Sequence, residues 1–375
     1  MSPGAGQAGT TSVPELPGVL SAEAVLRSGR HLARVQRADG MIPWYPGGHC
    51  DPWNHVEAAM ALTACGMGAE AERAYRWLAG RQLPEGAWFN YYRGGSVEDP
   101  RLDTNVCAYL ATGLWHHCLV TDDPTLLAQL WPAVERAVGF VLRWQRPDGS
   151  VAWSLDQAGR PEGYALLTGS SSIYHSLRCA TAAAARLDLV RPEWELAAGR
   201  LRHAITSHPG AFAPKDEFAM DWYYPVLTGA LDGPAAVQRL VGPSWSRFVL
   251  PDRGVRCVST GDWVTAAETA ECALAFDAVG RPDEALTLLE TTSALRLEDG
   301  SYWTGMVFPG GATFPVRERT TYTAAAVVLA ADALSGATGG AGLFHGTDLP
   351  GGLDLAEPDC PGGDGSGCQG AAALR

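Results

Sequence analysis

Six acids in this chain stand where carboxyl chemistry is expected. Asp103, Asp221 and Asp262 each precede or open a strongly apolar helical stretch. Glu57 and Glu268 fall about one turn inside such stretches, and Glu318 closes the last long loop. Two carboxyl groups on either side of a bond can act as general acid and general base. Around these acids the sequence gathers groups that hold a substrate. Trp44, Trp53 and His55 come from one loop, Tyr92 and Arg101 from the next, and Ser171 and His175 from the third. Trp222 follows, then Trp263, Arg317 and Arg319. Tryptophan faces stack on sugar rings or stabilise cations, while arginine and histidine bind oxygens. A pair for hydrolysis would be Asp103 or Glu57 with Asp262, Glu268 or Glu318. A plainer reading stands beside this one. Asp103, Asp221 and Asp262 are also N-cap residue types, Thr265-Ala-Ala-Glu268 has the form of a capping box, and His55 and His175 fit as core histidines.

The elements that must position these residues are announced by a repeat. Residues 73–88 read as a helix end: Trp77 and Leu78, then Gln82, Gly86 and Trp88. The same form recurs as Gln36, Gly40 and Trp44, and as Gln145, Gly149 and Trp153. Weaker copies are Arg296, Gly300 and Trp303, and a decayed one at Asp252-Arg-Gly254. A periodic helix terminator means a repeat architecture. Apolar periodicity gives six helix pairs, at 22–36 and 54–65, 70–82 and 103–118, 124–145 and 170–187, 192–207 and 221–231, 234–248 and 263–279, and 282–297 and 320–334. The second member of each pair is apolar nearly all round and belongs inside; the first carries Arg and Glu and belongs outside. The expected fold is therefore all-α, an (α/α)6 toroid over residues 19–337. Tails at 1–18 and 338–375 are too rich in Gly, Pro and Ser to add to the core. Connections from outer to inner helix are long and contain nearly all the unusual residues, so the site is expected on that face.

Composition narrows the partners. A net charge of −13 over 375 residues argues against nucleic acid or an anionic membrane surface. No apolar run is long enough for a membrane span, and residues 1–16 lack the form of a signal peptide. Nine cysteines without C-x-x-C spacing suggest a reduced, cytoplasmic protein with buried thiols. Cys360 and Cys368 lie in the C-terminal tail. No metal or other cofactor is expected, with Mg²⁺ needed only for a diphosphate substrate.

The pattern at 73–88 resembles the QW repeat of the terpenoid cyclase and protein prenyltransferase superfamily, whose members are α/α toroids. That resemblance covers about 22–334 and implies a prenyltransferase-like or cyclase-like enzyme acting in an aromatic cavity. The activity motifs of the superfamily are missing. No DxDD acid occurs, and Asp299-Gly300-Ser301 has serine where the zinc-binding cysteine would stand. The alternative is a carbohydrate-active (α/α)6 enzyme, a glycoside hydrolase or polysaccharide lyase using a carboxylate pair on an oligosaccharide. A third reading is a toroid that only binds its ligand.

Overall fold

The computed structural model describes residues 12–351 and 353. Six inner helices form a closed ring: α2 (Pro52–Ala64), the broken pair α4 (Thr104–Ala108) and α5 (Leu110–Thr121), α7 (Leu167–Arg186), α9 (Ala219–Leu227), α12 (Ala266–Ala278) and α14 (Thr321–Ser335). Each packs on the next, and α14 packs on α2 to close the circle. These helices are apolar on every side and almost wholly buried, as their sequences demand.

The outer ring is α1 (Ala22–Val35), α3 (Gly68–Ala79), α6 (Thr125–Leu142), α8 (Pro192–Ser207), α10 (Gly233–Val241) and α13 (Pro282–Thr291). A short helix, α11 (Pro243–Phe248), follows α10. Each outer helix lies against the inner helix that precedes it in the chain, and α1 lies against α14. The short inner-to-outer connections enforce this, because a turn of a few residues leaves adjacent antiparallel helices no other place.

The repeated Gln and Gly fasten neighbouring outer helices together. The Gln82 side-chain amide donates to the carbonyl of Gly86 in its own turn and to that of Ala133 on the next outer helix. Gln36 does the same with Gly40 and Glu70, and Gln145 with Gly149 and Ala197. The glycines sit at positive φ, with their bare backbones pressed on the following helix. A Cβ on Gly86 would come within 2.1 Å of the Arg136 carbonyl oxygen, and one on Gly300 within 2.3 Å of that of Arg27, which closes the ring. Gly86→Ala combines a φ of 100° with that collision. It should lower stability by about 3 kcal/mol, read as a fall in the urea midpoint without loss of slope.

Strands are few and short. β1 (His49–Cys50), β2 (Tyr91–Arg93) and β3 (Ser96–Asp99) make one antiparallel sheet, and β4 (Leu102–Asp103) pairs with β5 (Ser154–Leu155). A five-stranded sheet in the order β10-β9-β8-β7-β6 joins β6 (Val249–Leu250), β7 (Gly254–Arg256), β8 (Trp263–Thr265), β9 (Gly305–Val307) and β10 (Ala312–Thr313). All belong to the long loops or lead directly into inner helices.

The domain edges differ from the expected 19 and 337. Leu16 is buried in the core, three residues ahead of position 19. Residues 338–350 also pack: Leu343 is fully buried, Phe344 stacks on His175 at 5.2 Å between centroids, and His345 reaches Asp277 at 2.6 Å. A glycine-rich stretch can pack in this way where its missing side chains let the backbone approach; a Cβ on Gly340 would strike the His116 ring. Cys360 and Cys368 lie outside the described residues. The seven described cysteines are free thiols, six of them buried.

Candidate functional site

The first turns of all six inner helices open into one cavity of about 610 Å³. Its walls carry Asp51, Asp103, Asp221, Glu57, Glu268 and Glu271, with Trp44, Trp53, Tyr91, Trp153, Tyr164 and Tyr322 among the rings. Inner helices run parallel to one another, so their N-terminal turns all face the same end. Residues far apart in the chain therefore meet there.

Two of the acids are held by tryptophans of the repeat. Asp51 caps α2: its Oδ1 accepts from the Asn54 backbone N–H, and its Oδ2 accepts from Trp44 Nε1 at 2.6 Å and Asn54 Nδ2 at 2.7 Å. Asp103 caps α4 through the N–H groups of Asn105 and Val106, and its Oδ2 accepts from Trp153 Nε1 at 2.6 Å. Burial pushes the Asp103 carboxyl up to about 6, against the pull of these donors. Trp153 stacks on Tyr164, and the Arg101 guanidinium lies over the Trp153 ring, 5.7 Å from its centroid. Arg101 is tied to Asp99, whose carboxyl it lowers to about 2.

Asp221 does not cap its own helix. It lies inside α9, where its Oδ1 accepts from the backbone N–H and hydroxyl of Thr168 on α7. At the cavity floor, Glu57 accepts from Trp53 Nε1 at 3.0 Å and from the Tyr109 hydroxyl at 3.3 Å. Glu271 accepts from the Tyr223 and Tyr224 hydroxyls. Burial raises both carboxyls above the usual carboxylate range, and for Glu57 the Glu271 charge adds to the effect.

Glu268 differs from these. Thr265 makes no side-chain cap, so the capping box is not formed, and Glu268 is half-buried on the cavity wall. Its charge is the largest electrostatic influence on the Tyr322 phenol, which burial already raises; Asp51 acts on the same phenol. The Asp51 charge also adds to the effect of burial in raising Tyr91, Asp103 and Glu57.

The other candidate residues are used elsewhere. His55 accepts the Ile42 N–H at Nδ1 and contacts the Ala74 carbonyl through Nε2, a bonding pattern that requires the neutral ring. His175 is buried below the floor, with Nε2 toward the Leu343 carbonyl. Tyr92 accepts the Phe89 N–H through its hydroxyl, and Ser171 donates to the Leu167 carbonyl one turn back. Trp222 donates to the Arg239 carbonyl and stacks on Phe248. Asp262 pairs with Arg256 on the five-stranded sheet, and Trp263 donates to the Phe314 carbonyl on that sheet. Glu318 accepts from Thr304, Arg317 is exposed at a φ of 56°, and Arg319 pairs with Asp299 over Trp303. For Asp262 and Trp263 the reason is that β8 stands between loop and helix and carries them out to the sheet. Of the candidates, Asp103, Asp221, Glu57, Glu268, Trp44, Trp53 and Arg101 line the cavity.

Asp51 and Glu271 were not among the sequence candidates. Glu271 follows Glu268 by three residues, hence on one helical face, and Asp51 precedes Pro52 as an N-cap should.

Burial depresses His55 and His175 from 6.5 to about 4. Neutral rings are favoured in the fold, so the unfolded chain takes up protons first as pH drops. The stability from these two rings is complete above pH 6.5 and is lost toward about pH 4. Urea midpoints should fall across that window, and less steeply for His55→Gln.

No family model matches the sequence. The chain is 50% identical over 349 residues to the MMP endo-(1,4)-3-O-methyl-alpha-D-mannosidase of Mycolicibacterium hassiacum, covering 93% of this chain and 96% of that protein. Among solved structures, a wild-type glycosidase superposes with a TM-score of 0.65 at 16% identity, over 84% of this chain and 97% of that one. The cellobiose 2-epimerase of Bacillus thermoamylovorans B4167 gives 0.58 at 9% identity, over 81% and 97%. These structures share the α/α toroid. The mannosidase match overturns the terpenoid cyclase and prenyltransferase assignment. The repeat that suggested it is a staple between outer helices, and any toroid with short inner-to-outer turns has use for one. Arg317 and Arg319, which a diphosphate would need, lie outside the cavity.

Proposed function

This chain belongs to the family of the MMP endo-(1,4)-3-O-methyl-alpha-D-mannosidase, and we propose that it is itself a glycoside hydrolase cleaving internal α-(1,4) bonds of 3-O-methyl-mannose oligosaccharides. The observation that carries the assignment to this cavity is its inner wall. Glu268, which makes no helix cap, lines the same cavity as the indole-anchored Asp51 and the Tyr322 phenol.

In the proposed step Glu268 delivers its proton to the glycosidic oxygen as the C1–O bond breaks. Asp51, whose partners are all N–H donors, acts as acceptor: it takes a proton from a water whose oxygen forms the new bond to C1. Trp44, Trp53 and Tyr91 supply faces for the flanking sugar rings. Asp103 and Arg101 bind hydroxyls on the opposite side. The step is proposed as a single displacement, the water entering on the face of C1 opposite the departing oxygen, with inversion at that carbon. The step calls for acid–base chemistry alone and no cofactor. Among the described residues no helix is long and apolar enough to cross a membrane. The free buried thiols support a cytoplasmic setting as part of the same proposal.

The test is digestion of defined 3-O-methyl-mannose oligosaccharides, followed by chain length and by proton NMR of the first product. Fragments from internal cleavage with a β-anomeric reducing end are expected. Release of single sugars from one end, or an α-anomer formed first, would contradict the scheme.

A further inference from the structure

Two acceptors on the cavity wall are left over by the protein's own hydrogen bonds, and both lie on the side built by α4, α7 and α9. Asn105, on α4, lines the cavity and is only 5% exposed, and its Oδ1 has no hydrogen-bond partner among the described residues. Asp221, on α9, accepts the backbone N–H and the hydroxyl of Thr168 through Oδ1 alone, which leaves Oδ2 free to accept. The start of α7 joins the two: Thr168 holds Asp221, and Gly169 abuts Asn105. A Cβ at position 169 would stand 3.5 Å from Asn105 Cβ and 4.0 Å from its Cγ. Gly169 lines the same cavity, so the space beside the amide is open because that position has no side chain. Lys215, the cation of this wall, is exposed at the rim with its ammonium 5.7 Å from the Phe218 ring centroid, and it stays in water.

A buried acceptor without a partner destabilises the protein that contains it, and a ligand that brings a donor removes the penalty. The ligand group that this wall fits must therefore carry a proton. A hydroxyl does; a methyl ether has none and would leave both acceptors as they were. A half-turn of the Asn105 amide about Cβ–Cγ exchanges Oδ1 with Nδ2, so the same side chain can also donate to a hydroxyl oxygen. On an α-(1,4) chain methylated at O3, the hydroxyls that remain along the chain are those on C2 and C6. Resting on the hydrolase reading above, we propose that Asn105 binds one of these free hydroxyls and is the residue that sets the requirement for it. Its place on α4, away from Asp51 and Glu268 on α2 and α12, makes it a group that seats the sugar rather than one that moves a proton.

The test uses three oligosaccharides of equal length: the α-(1,4)-linked 3-O-methyl-mannose chain, its 2-deoxy form and its 6-deoxy form. Each is digested by the full-length wild type, Asn105→Leu and Gly169→Ala. The quantity read is the factor by which a variant lowers kcat/KM on a given chain, a ratio from which the intrinsic reactivity of a deoxy glycoside cancels. Leucine keeps the rough shape of the side chain and drops its unpaired polar atoms, so thermal melts should show no loss of stability. On the parent chain Asn105→Leu should lower kcat/KM by about 30-fold, the order expected when a buried polar group loses its bonded hydroxyl. A similar factor is expected on one deoxy chain and little or none on the other, whose missing hydroxyl is the one that Asn105 binds. Gly169→Ala sets a methyl against the amide in ordinary contact and should repeat this pattern without lowering the melting temperature, because alanine favours a helix. It carries the test alone if Asn105→Leu does not fold. A deoxy chain that the wild type does not cleave is read as a competitive inhibitor of the parent chain, with inhibition constants in place of kcat/KM. Equal factors on all three chains, whether large or negligible, would overturn the subsite and leave the hydrolase reading intact. A wild type that cleaves no chain would overturn the hydrolase reading and the subsite together.

Discussion

Glu268→Gln should reduce kcat on the oligosaccharide by about three orders of magnitude, within the range of general acid catalysis, while the melting temperature moves by no more than about 2 °C. The small structural effect follows from its surroundings. Glu268 is half-buried and makes no helix cap, so an amide of the same shape leaves the α12 N-terminus as it was. The loss of rate follows from its role, since glutamine has no proton to give to the departing oxygen. A substrate whose leaving group needs no proton separates this role from one of mere placement. With a mannosyl fluoride, Glu268→Gln should recover most of the wild-type rate. Failure of the fluoride to recover activity, or a loss of less than tenfold on the natural linkage, would remove Glu268 as the acid.

Asp51→Asn should abolish turnover to a similar degree, and here the fluoride should not help, because activation of water is still missing. Its effect on stability is expected to be larger. Asp51 Oδ2 accepts from Trp44 Nε1 at 2.6 Å and from Asn54 Nδ2 at 2.7 Å, and an amide nitrogen in that position would set donor against donor. A buried clash of this kind costs about 1–3 kcal/mol. Adding Trp44→Phe removes one of the two opposing N–H groups, so the double variant should regain part of the stability but not activity. Measured unfolding free energies and initial rates on the four members of the cycle decide the matter. Recovery of activity together with stability would show that Asp51 serves only to hold the α2 cap.

Both variants depend on knowing which carboxyls are engaged by the scaffold, and the sequence ranks them poorly. Asp103, Asp221 and Asp262 all look like N-caps, yet only Asp103 caps its helix. Asp221 is bound by Thr168 from another helix, and Asp262 pairs with Arg256 on a sheet. The distinction rests on where α9 and α12 begin. Those starts are fixed by strands and long loops that pair residues far apart in the chain. Asp51 and Glu271 were overlooked for the complementary reason: each fits the local grammar of a helix, and only the ring of neighbours shows what else it faces.

The toroid itself was legible. Six apolar helices alternate with six amphipathic ones, joined by short turns in one direction and long loops in the other. Burial of two such helix types admits few closed arrangements. The Gln and Gly of the repeat were visible as helix terminators, and their spacing correctly indicated repeating hairpins. Their partners were not visible, because the carbonyls of Ala133 and Arg136 lie about fifty residues further on. A local motif shared by different toroids consequently pointed to the wrong ancestry. Helix positions, their inward and outward faces, and the end of the barrel where polar and aromatic residues collect all follow from periodicity and turn residues. Which of those residues share a cavity, and which serve as caps, staples or sheet contacts, emerges only once the ring is closed. Periodicity and turn chemistry act over a few residues, whereas the burial and charge of a carboxyl depend on neighbours brought in by closure of the ring.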